Sequence, residues 1–255
     1  MKALVIRSGS RGNATLLDAG GHLFLIDMGI TLKLLKEGLS LMDRNMFDIE
    51  AMFLTHEHSD HTAGIRYLPP CPIYTTKGTY DSENVIEIIP YHEFNVSNLK
   101  VTPFSTSHDA NNPIGFIFEC DDEKLVYMTD SGFIPDSTLS LMENADYYIF
   151  ESNHDVKMLM ESGRSMMTIE RIASDFGHLS NKDSAMYLSN LIGPKTKEII
   201  LAHLSLDCNT EDKALLAHLK QYTKRHIDVA NIYIHCASQT EMATLGDLSL
   251  HRKDA

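Results

Sequence analysis

Short apolar runs separated by Gly, Pro and Asp/Asn punctuation organise the first half of the chain. They predict strands over 2–7, 14–18, 22–27, 51–55, 72–75, 85–89, 99–104, 114–119 and 124–129. Asp18-Ala-Gly-Gly21 and Asp121-Asp-Glu-Lys124 read as hairpin turns between such runs. Helical spacing predicts helices over 31–37, 62–67 and 135–143. From Asp146 the texture changes: a strand at 146–151, helices near 165–176 and 181–192, a strand at 197–202, a helix at 210–225 and a strand at 231–235. The chain is expected to fray from about Asp247. Sets of strands first, then helices between later strands, suit two sheets with helices outside them better than a uniform βαβ array. With 255 residues, 43% of them hydrophobic, the chain can bury a large core, and one domain over 1–255 is expected.

Charge and cysteine usage narrow the class. A net charge of −13 repels a polyanion at long range and argues against a broad duplex-wrapping surface. It leaves room for an enzyme that takes a strand end, because two divalent cations would add four positive charges at one spot. Cys71, Cys120, Cys208 and Cys236 lie far apart without CxxC spacing, as reduced thiols rather than a disulfide frame or a thiolate zinc site. The N-terminal residues lack a signal-peptide core, and no apolar run approaches the roughly 18 residues of a membrane span, so a cytoplasmic protein without membrane contact is expected.

The chemistry concentrates at Thr55-His-Glu-His-Ser-Asp-His61, which packs His56, His58, Asp60 and His61 into six positions behind the apolar run 51–54. Three imidazoles and a carboxylate are costly to desolvate together unless a cation gathers them. On a strand-to-helix turn they can splay toward two ions. Further candidates follow later apolar runs: His108, Asp130 and His203. Neighbouring strand ends form one rim, which joins residues that would be unremarkable alone. Nitrogen and oxygen ligands without cysteine favour Zn²⁺, with Mn²⁺ or Fe open.

This pattern, with Asp27 in Leu25-Ile-Asp-Met-Gly29 upstream, strongly resembles the metallo-β-lactamase-fold hydrolases over nearly the whole chain. The resemblance implies an α/β layered fold, an αββα sandwich of two mixed sheets with the site at one edge. It also implies that His56, His58 and His108 hold one metal, that Asp60, His61 and His203 hold a second, that Asp130 bridges, and that Asp27 orients ligands. More locally the chain looks like the YycJ/WalJ-type, exonuclease-like branch. The matching stretches are Ser8-Gly-Ser-Arg-Gly-Asn13, Ser107-His-Asp-Ala110, Pro113-Ile-Gly-Phe116, Thr129-Asp-Ser-Gly132, Glu151-Ser-Asn-His-Asp155, Gly177-His-Leu-Ser-Asn181 and Ala237-Ser-Gln-Thr240. Leu206-Asp-Cys208 departs from it where a more basic segment is expected.

Two metals ~3.5–4 Å apart can bind a bridging hydroxide and clamp a phosphodiester oxygen. In this family Asp60 would also orient that hydroxide or take its proton, and His178, partnered by Glu151, resembles the acid of tRNase Z-type enzymes. The plainer alternative makes His178 a helix-entry residue beside a cap at Ser180 or Asn181. His154 either approaches a phosphate or sits in an exposed loop. The Ser8–Asn13 loop either aims N–H groups at a phosphate, with Ser8 and Asn13 as substrate contacts, or is a tight turn. It lacks the Lys-Ser/Thr ending of a P-loop. Methionines in 158–167 read as core filler before a mobile flap, and Arg164 and Arg171 as solvated residues before phosphate contacts. His22, His92, His218, His226, His235 and His251 read as surface or locally bonded.

The leading expectation is a dinuclear metal phosphodiesterase acting on nucleic acid, with 5′-to-3′ exonuclease action as its finer form. The runner-up is a thioester or lactam hydrolase of small molecules. A redox diiron domain would carry Glu where this chain has His58, and glyoxalase-like hydrolases continue with Gly-Gly where it has Thr62-Ala-Gly64. A non-catalytic scaffold would tolerate lost ligands, and none is missing. The length leaves no room for the extra domain or tRNA-gripping arm of RNA-processing relatives.

Overall fold

In the computed structural model, which describes residues 1–248, two seven-stranded sheets face each other with helices on their outer sides. The chain runs β1 (Lys2–Arg7), β2 (Ala14–Ala19), β3 (His22–Ile26), α1 (Leu32–Leu41), β4 (Ile49–Phe53), α2 (Ser59–Thr62), β5 (Ile73–Thr75) and β6 (Val85–Glu87). It continues through β7 (Phe94–Val96), β8 (Leu99–Ser105), β9 (Ile114–Cys120), β10 (Glu123–Met128), α3 (Asp136–Met142) and β11 (Tyr147–Glu151). The last part is α4 (Val156–Met160), α5 (Met166–Ile172), α6 (Asn181–Leu191), β12 (Glu198–Ala202), α7 (Glu211–Lys224), β13 (Tyr233–Cys236) and β14 (Ala243–Leu245). The first sheet has the order β14-β1-β2-β3-β4-β5-β6 and the second β13-β12-β11-β10-β9-β8-β7.

Both sheets follow one plan: an antiparallel meander that turns parallel after a helix crossover. In the first, β1, β2 and β3 pair antiparallel, then β3, β4, β5 and β6 pair parallel. In the second, β7 to β10 pair antiparallel and β10 to β13 parallel. The expected hairpin turns have a physical basis. Gly20 and Gly21 stand at φ 60° and 91° between the paired Ala19 and His22, and Asp121 and Asp122 at φ 50° and 65° between Cys120 and Glu123. Positive φ at both central residues is the twist that a two-residue hairpin needs.

Most strands are apolar on both faces because both are covered. Val5, Phe24 and Phe53 meet Phe116, Phe118 and Ile149 between the sheets, with Phe53 5.5 Å from Phe116 and 5.1 Å from Phe118, ring to ring. Leu4, Ile6 and Leu25 pack outward against Leu35 and Leu39 of α1. Val126, Tyr148 and Leu201 pack outward against Met142, Leu188 and Tyr222 of α3, α6 and α7. This is the expected αββα layering.

Three elements escaped the sequence reading: the short strands β7 and β14, and α4, which Asp155 caps by accepting from the Met158 backbone N–H at 3.0 Å. Three or five residues carry too little periodicity to register. The helix expected at 62–67 begins earlier, at Ser59 inside the histidine cluster, and gives way to a 3₁₀ turn at Ile65–Tyr67. The core-filler reading of the methionines fails for Met160, exposed on α4, and for Met166 and Met167, exposed on α5, while Met158 does pack against a small cluster of Leu159, Ile169 and Ile172. Arg164 and Arg171 lie in surface ion pairs with Asp207 and Asp109. His218 is buried and bonded locally to Ala214 and Ser184; His251 and most of the expected frayed end lie outside the described residues. Among the described residues no helix is long and apolar enough to cross a membrane.

Candidate metal centre

Strands β3, β4, β8, β10, β11 and β12 all end at one edge of the sandwich, and that edge collects the candidate residues. Asp27 follows β3, Thr55 to His61 follow β4, His108 follows β8, Asp130 follows β10, Glu151 ends β11 and His203 follows β12. Ligand atoms of His56, His58 and His108 lie within 4.8 Å of one another, as do those of Asp60, His61 and His203. Asp130 stands between the groups. Its Oδ2 is 3.4 Å from His61 Nε2, and its Oδ1 is 3.3 Å from His203 Nε2 and 3.9 Å from His108 Nε2.

The imidazoles are held from behind. Nδ1 of His61 meets Asp27 Oδ2 at 2.8 Å, Nδ1 of His203 meets Glu151 Oε1 at 3.1 Å, Nδ1 of His108 meets the Gly177 carbonyl at 3.1 Å, and Nδ1 of His56 meets Thr55 Oγ1 at 3.0 Å. For His61, His203 and His108 the nearest Nδ1 partner is a carboxylate or carbonyl oxygen that only accepts, and donation from Nδ1–H leaves the Nε2 lone pair facing the centre. Nε2 of His56 and His203 and Oδ2 of Asp130 are buried without a hydrogen-bond partner. Unpaired buried polar atoms converging on one point are costly unless a cation meets them. The donor set and its unpaired atoms therefore fit divalent metal ions.

The electrostatics agree. Burial raises the Asp130 carboxyl, but the imidazoles of His203, His61, His56 and His178 outweigh it and hold the group well below the usual carboxylate range. Burial lowers His203, yet Asp130 and Glu151 push it up to about 9. Burial and neighbouring imidazoles instead hold His56 below its ordinary value, and burial does the same for His108.

A family profile described as a beta-lactamase superfamily domain matches residues 22–203, which contain all of these side chains. The chain belongs to the metallo-β-lactamase superfamily. It is 35% identical to the exodeoxyribonuclease YycJ of Bacillus anthracis over 84% of this chain and 86% of that protein. It is 32% identical to the exodeoxyribonuclease WalJ of Streptococcus pneumoniae serotype 2 (strain D39) over 89% of this chain and 90% of that one, which places it in the YycJ/WalJ-type branch. Among solved structures, the metallo-β-lactamase fold protein YhfI from Bacillus subtilis superposes with a TM-score of 0.70 over 96% of this chain and 99% of that one, at 19% identity.

The structure also gives this metallo-β-lactamase-fold site the positions of its remaining polar groups. His178 and Glu151 are brought together: Nδ1 lies 2.8 Å from Oε1, with the His178 ring 5.0 Å from that of His108 and 5.1 Å from that of His203. Burial raises the Glu151 carboxyl, but His178 and His203 outweigh it and hold it at about 2. The backbone N–H groups of Ser131 and Leu179 donate to its Oε2. Asn153 donates to the His203 carbonyl, and Asp109 Oδ1 reaches 3.3 Å from His108 Nε2; neither position carried a signal beyond its place beside a candidate.

The loop readings need correction. His154 is buried, not in an exposed loop; its carbonyl accepts from the Asn181 N–H, and burial lowers its imidazole to about 4. The N–H groups of Ser8, Gly9, Gly12 and Asn13 are spent inside the protein, on Ser238 O, Asn13 Oδ1, Gly9 O and Asp60 O, so they form no phosphate cradle. Ser8 Oγ accepts the His203 backbone N–H at 2.9 Å, and Asn13 Nδ2 stands 2.9 Å from His61 Nε2. Both side chains are buried; Ser8 holds the His203 backbone from behind, whereas the Asn13 amide stands on the Nε2 side of His61, within the centre itself.

Proposed function

We propose that the chain is a dinuclear metal-dependent phosphodiesterase that shortens nucleic acid from an end. His56, His58 and His108 would hold one cation and Asp60, His61 and His203 the other, with Asp130 placed between the two groups. The observation that carries this reading beyond a generic metal hydrolase is the His178–Glu151 pair beside both triads, at 2.8 Å. The bound ions, Zn²⁺ first with Mn²⁺ or Fe open, supply a nucleophile at neutral pH and offset phosphate charge.

The protein's own groups do the rest. Glu151 accepts Nδ1–H of His178 and leaves Nε2 as the nitrogen that faces substrate. With a proton on Nε2, His178 would hand it to the departing alkoxide, while the buried Glu151 carboxylate fixes the ring through Nδ1. Asp60, at the half-buried mouth of the centre, orients the attacking group. A thioester or β-lactam leaving group makes less use of such an acid.

Two further facts support a polyanionic substrate. The YycJ and WalJ relatives are named exodeoxyribonucleases. The net charge of −13 is unevenly spread: Arg7, Arg11, Lys33 and Arg66 line one pocket of about 680 Å³ with no carboxylate among its lining residues. It adjoins Gly29, whose backbone packs on Asp60, so it flanks the centre on the His61 side.

The test is protein stripped by chelation and reloaded with Zn²⁺, Mn²⁺ or Fe²⁺, assayed on 5′- and 3′-labelled DNA and RNA, an activated phosphodiester, a glutathione thioester and a β-lactam. DNA degradation from one end is the expected result. His178→Ala should retain its metal and lose about 10²–10⁴-fold on DNA, with a much smaller loss on the activated ester, whose leaving group needs no proton. Turnover of the thioester or lactam without any phosphodiester cleavage would overturn the reading.

A further inference from the structure

A cleft of about 650 Å³ opens directly from His108, bordered by Lys77, Tyr91, Phe133 and Phe176, with no carboxylate among its lining residues. The three rings are unusually open: Phe176 is 63% exposed, Tyr91 48% and Phe133 44%. They arrive from separate segments, two of them tied to the centre. Phe133 stands three residues after Asp130, and Phe176 two before His178. Tyr91 belongs to the loop between β6 and β7 and is held rather than loose. Its hydroxyl bonds Thr138 Oγ1 at 3.1 Å, and its backbone sits at φ 66°, a conformation rare for an aromatic residue. A ring fixed in this way loses little freedom when something stacks on it.

We propose that this cleft receives the unpaired bases of a single-stranded end while the adjoining phosphodiester lies over the centre. The assignment rests on the phosphodiesterase reading and adds the substrate's secondary structure to it. Aromatic faces take bases of any sequence, but only bases out of the duplex stack offer a face to take. The volume falls in the roughly 300–1,000 Å³ range of small-ligand sites, suited to one or two splayed nucleotides. Lys77 supplies a cation for the backbone at the cleft rim, and continuity with His108 sets the distance to the reacting bond. The ring-lined cleft thus borders the centre at His108, and the Arg7/Arg11/Arg66 pocket approaches it through Gly29, beside Asp60.

The chain contains no tryptophan, so Phe176→Trp installs the sole indole at the cleft. With metal-loaded protein, a short phosphorothioate-linked oligodeoxythymidylate should quench its emission saturably. A blunt duplex of equal length should bind at least about tenfold more weakly, and adding Phe133→Ala should weaken single-strand binding at least about fivefold. Hydrolysis of bis(p-nitrophenyl) phosphate, an ester without bases, reports on the centre separately from the cleft. Absent quenching, or equal binding of the duplex, overturns the cleft assignment alone if that small ester is still hydrolysed. Loss of all phosphodiester hydrolysis in the wild-type protein overturns the reading beneath it, and quenching without hydrolysis would leave a strand-binding protein instead of a nuclease.

Discussion

The two sheets build the same turn and use it differently. In the first, β3 runs into Asp27-Met-Gly29; in the second, β10 runs through Thr129 into Asp130-Ser-Gly132. Asp27 and Asp130 adopt φ 57° and 56°, and each following glycine lets a later loop close on it. A Cβ at Gly29 would stand 1.6 Å from the Asp60 carbonyl oxygen, and one at Gly132 2.2 Å from that of Ser174. The carboxylates then diverge. Asp27 is satisfied by the Thr55 N–H at 2.9 Å, the Thr55 hydroxyl and His61 Nδ1. Asp130 leaves Oδ2 without a hydrogen-bond partner and faces imidazole Nε2 atoms. One backbone device therefore yields a supporting carboxylate when neighbours saturate it and a candidate bridging ligand when they do not. Glu151 takes Asp27's supporting part for the second sheet, behind His203 and His178.

The contrast can be broken experimentally. Asp130→Asn keeps the shape of the turn but removes the charge, and should lose bound metal and cut hydrolysis more than about 10³-fold, read by metal analysis and DNA turnover. Asp27→Asn should cost only about 10–100-fold in metal affinity or activity, as expected for a group that orients a ligand. Equal losses in the two variants would erase the distinction. A smaller effect separates the two triads by pH. His203 is pushed up to about 9, so below that pH a cation must displace its proton and affinity should fall about tenfold per unit. His56 and His108 are held below their ordinary value and have no such proton to lose. Metal titrations at several pH values should therefore show one steeply and one weakly dependent site.

Legibility followed the same division. His56, His58, Asp60 and His61 announced themselves because one turn carries four donors whose joint burial no packing could repay. The strand ends at His108, Asp130 and His203 gained meaning only as a set, since each alone is an ordinary residue after an apolar run. For the Ser8–Asn13 loop the choice between a phosphate contact and a tight turn stayed open, because its glycines describe a turn but not where its N–H groups go; the structure sends those of Ser8, Gly9, Gly12 and Asn13 inward. The aromatic cleft carried no sequence signal, because Tyr91, Phe133 and Phe176 have no shared spacing.

The sequence by itself determined the strand pattern, the hairpin turns and the donor-rich turn after β4, since these depend on backbone conformation and burial within a few residues. Only the tertiary structure decided which carboxylate is satisfied and which stays open, how Glu151 reaches both His178 and His203, and which rings border the centre. Those outcomes depend on distances between strand ends that are up to 195 positions apart, as the bond from the His203 N–H to Ser8 illustrates, and no local preference of the chain encodes them.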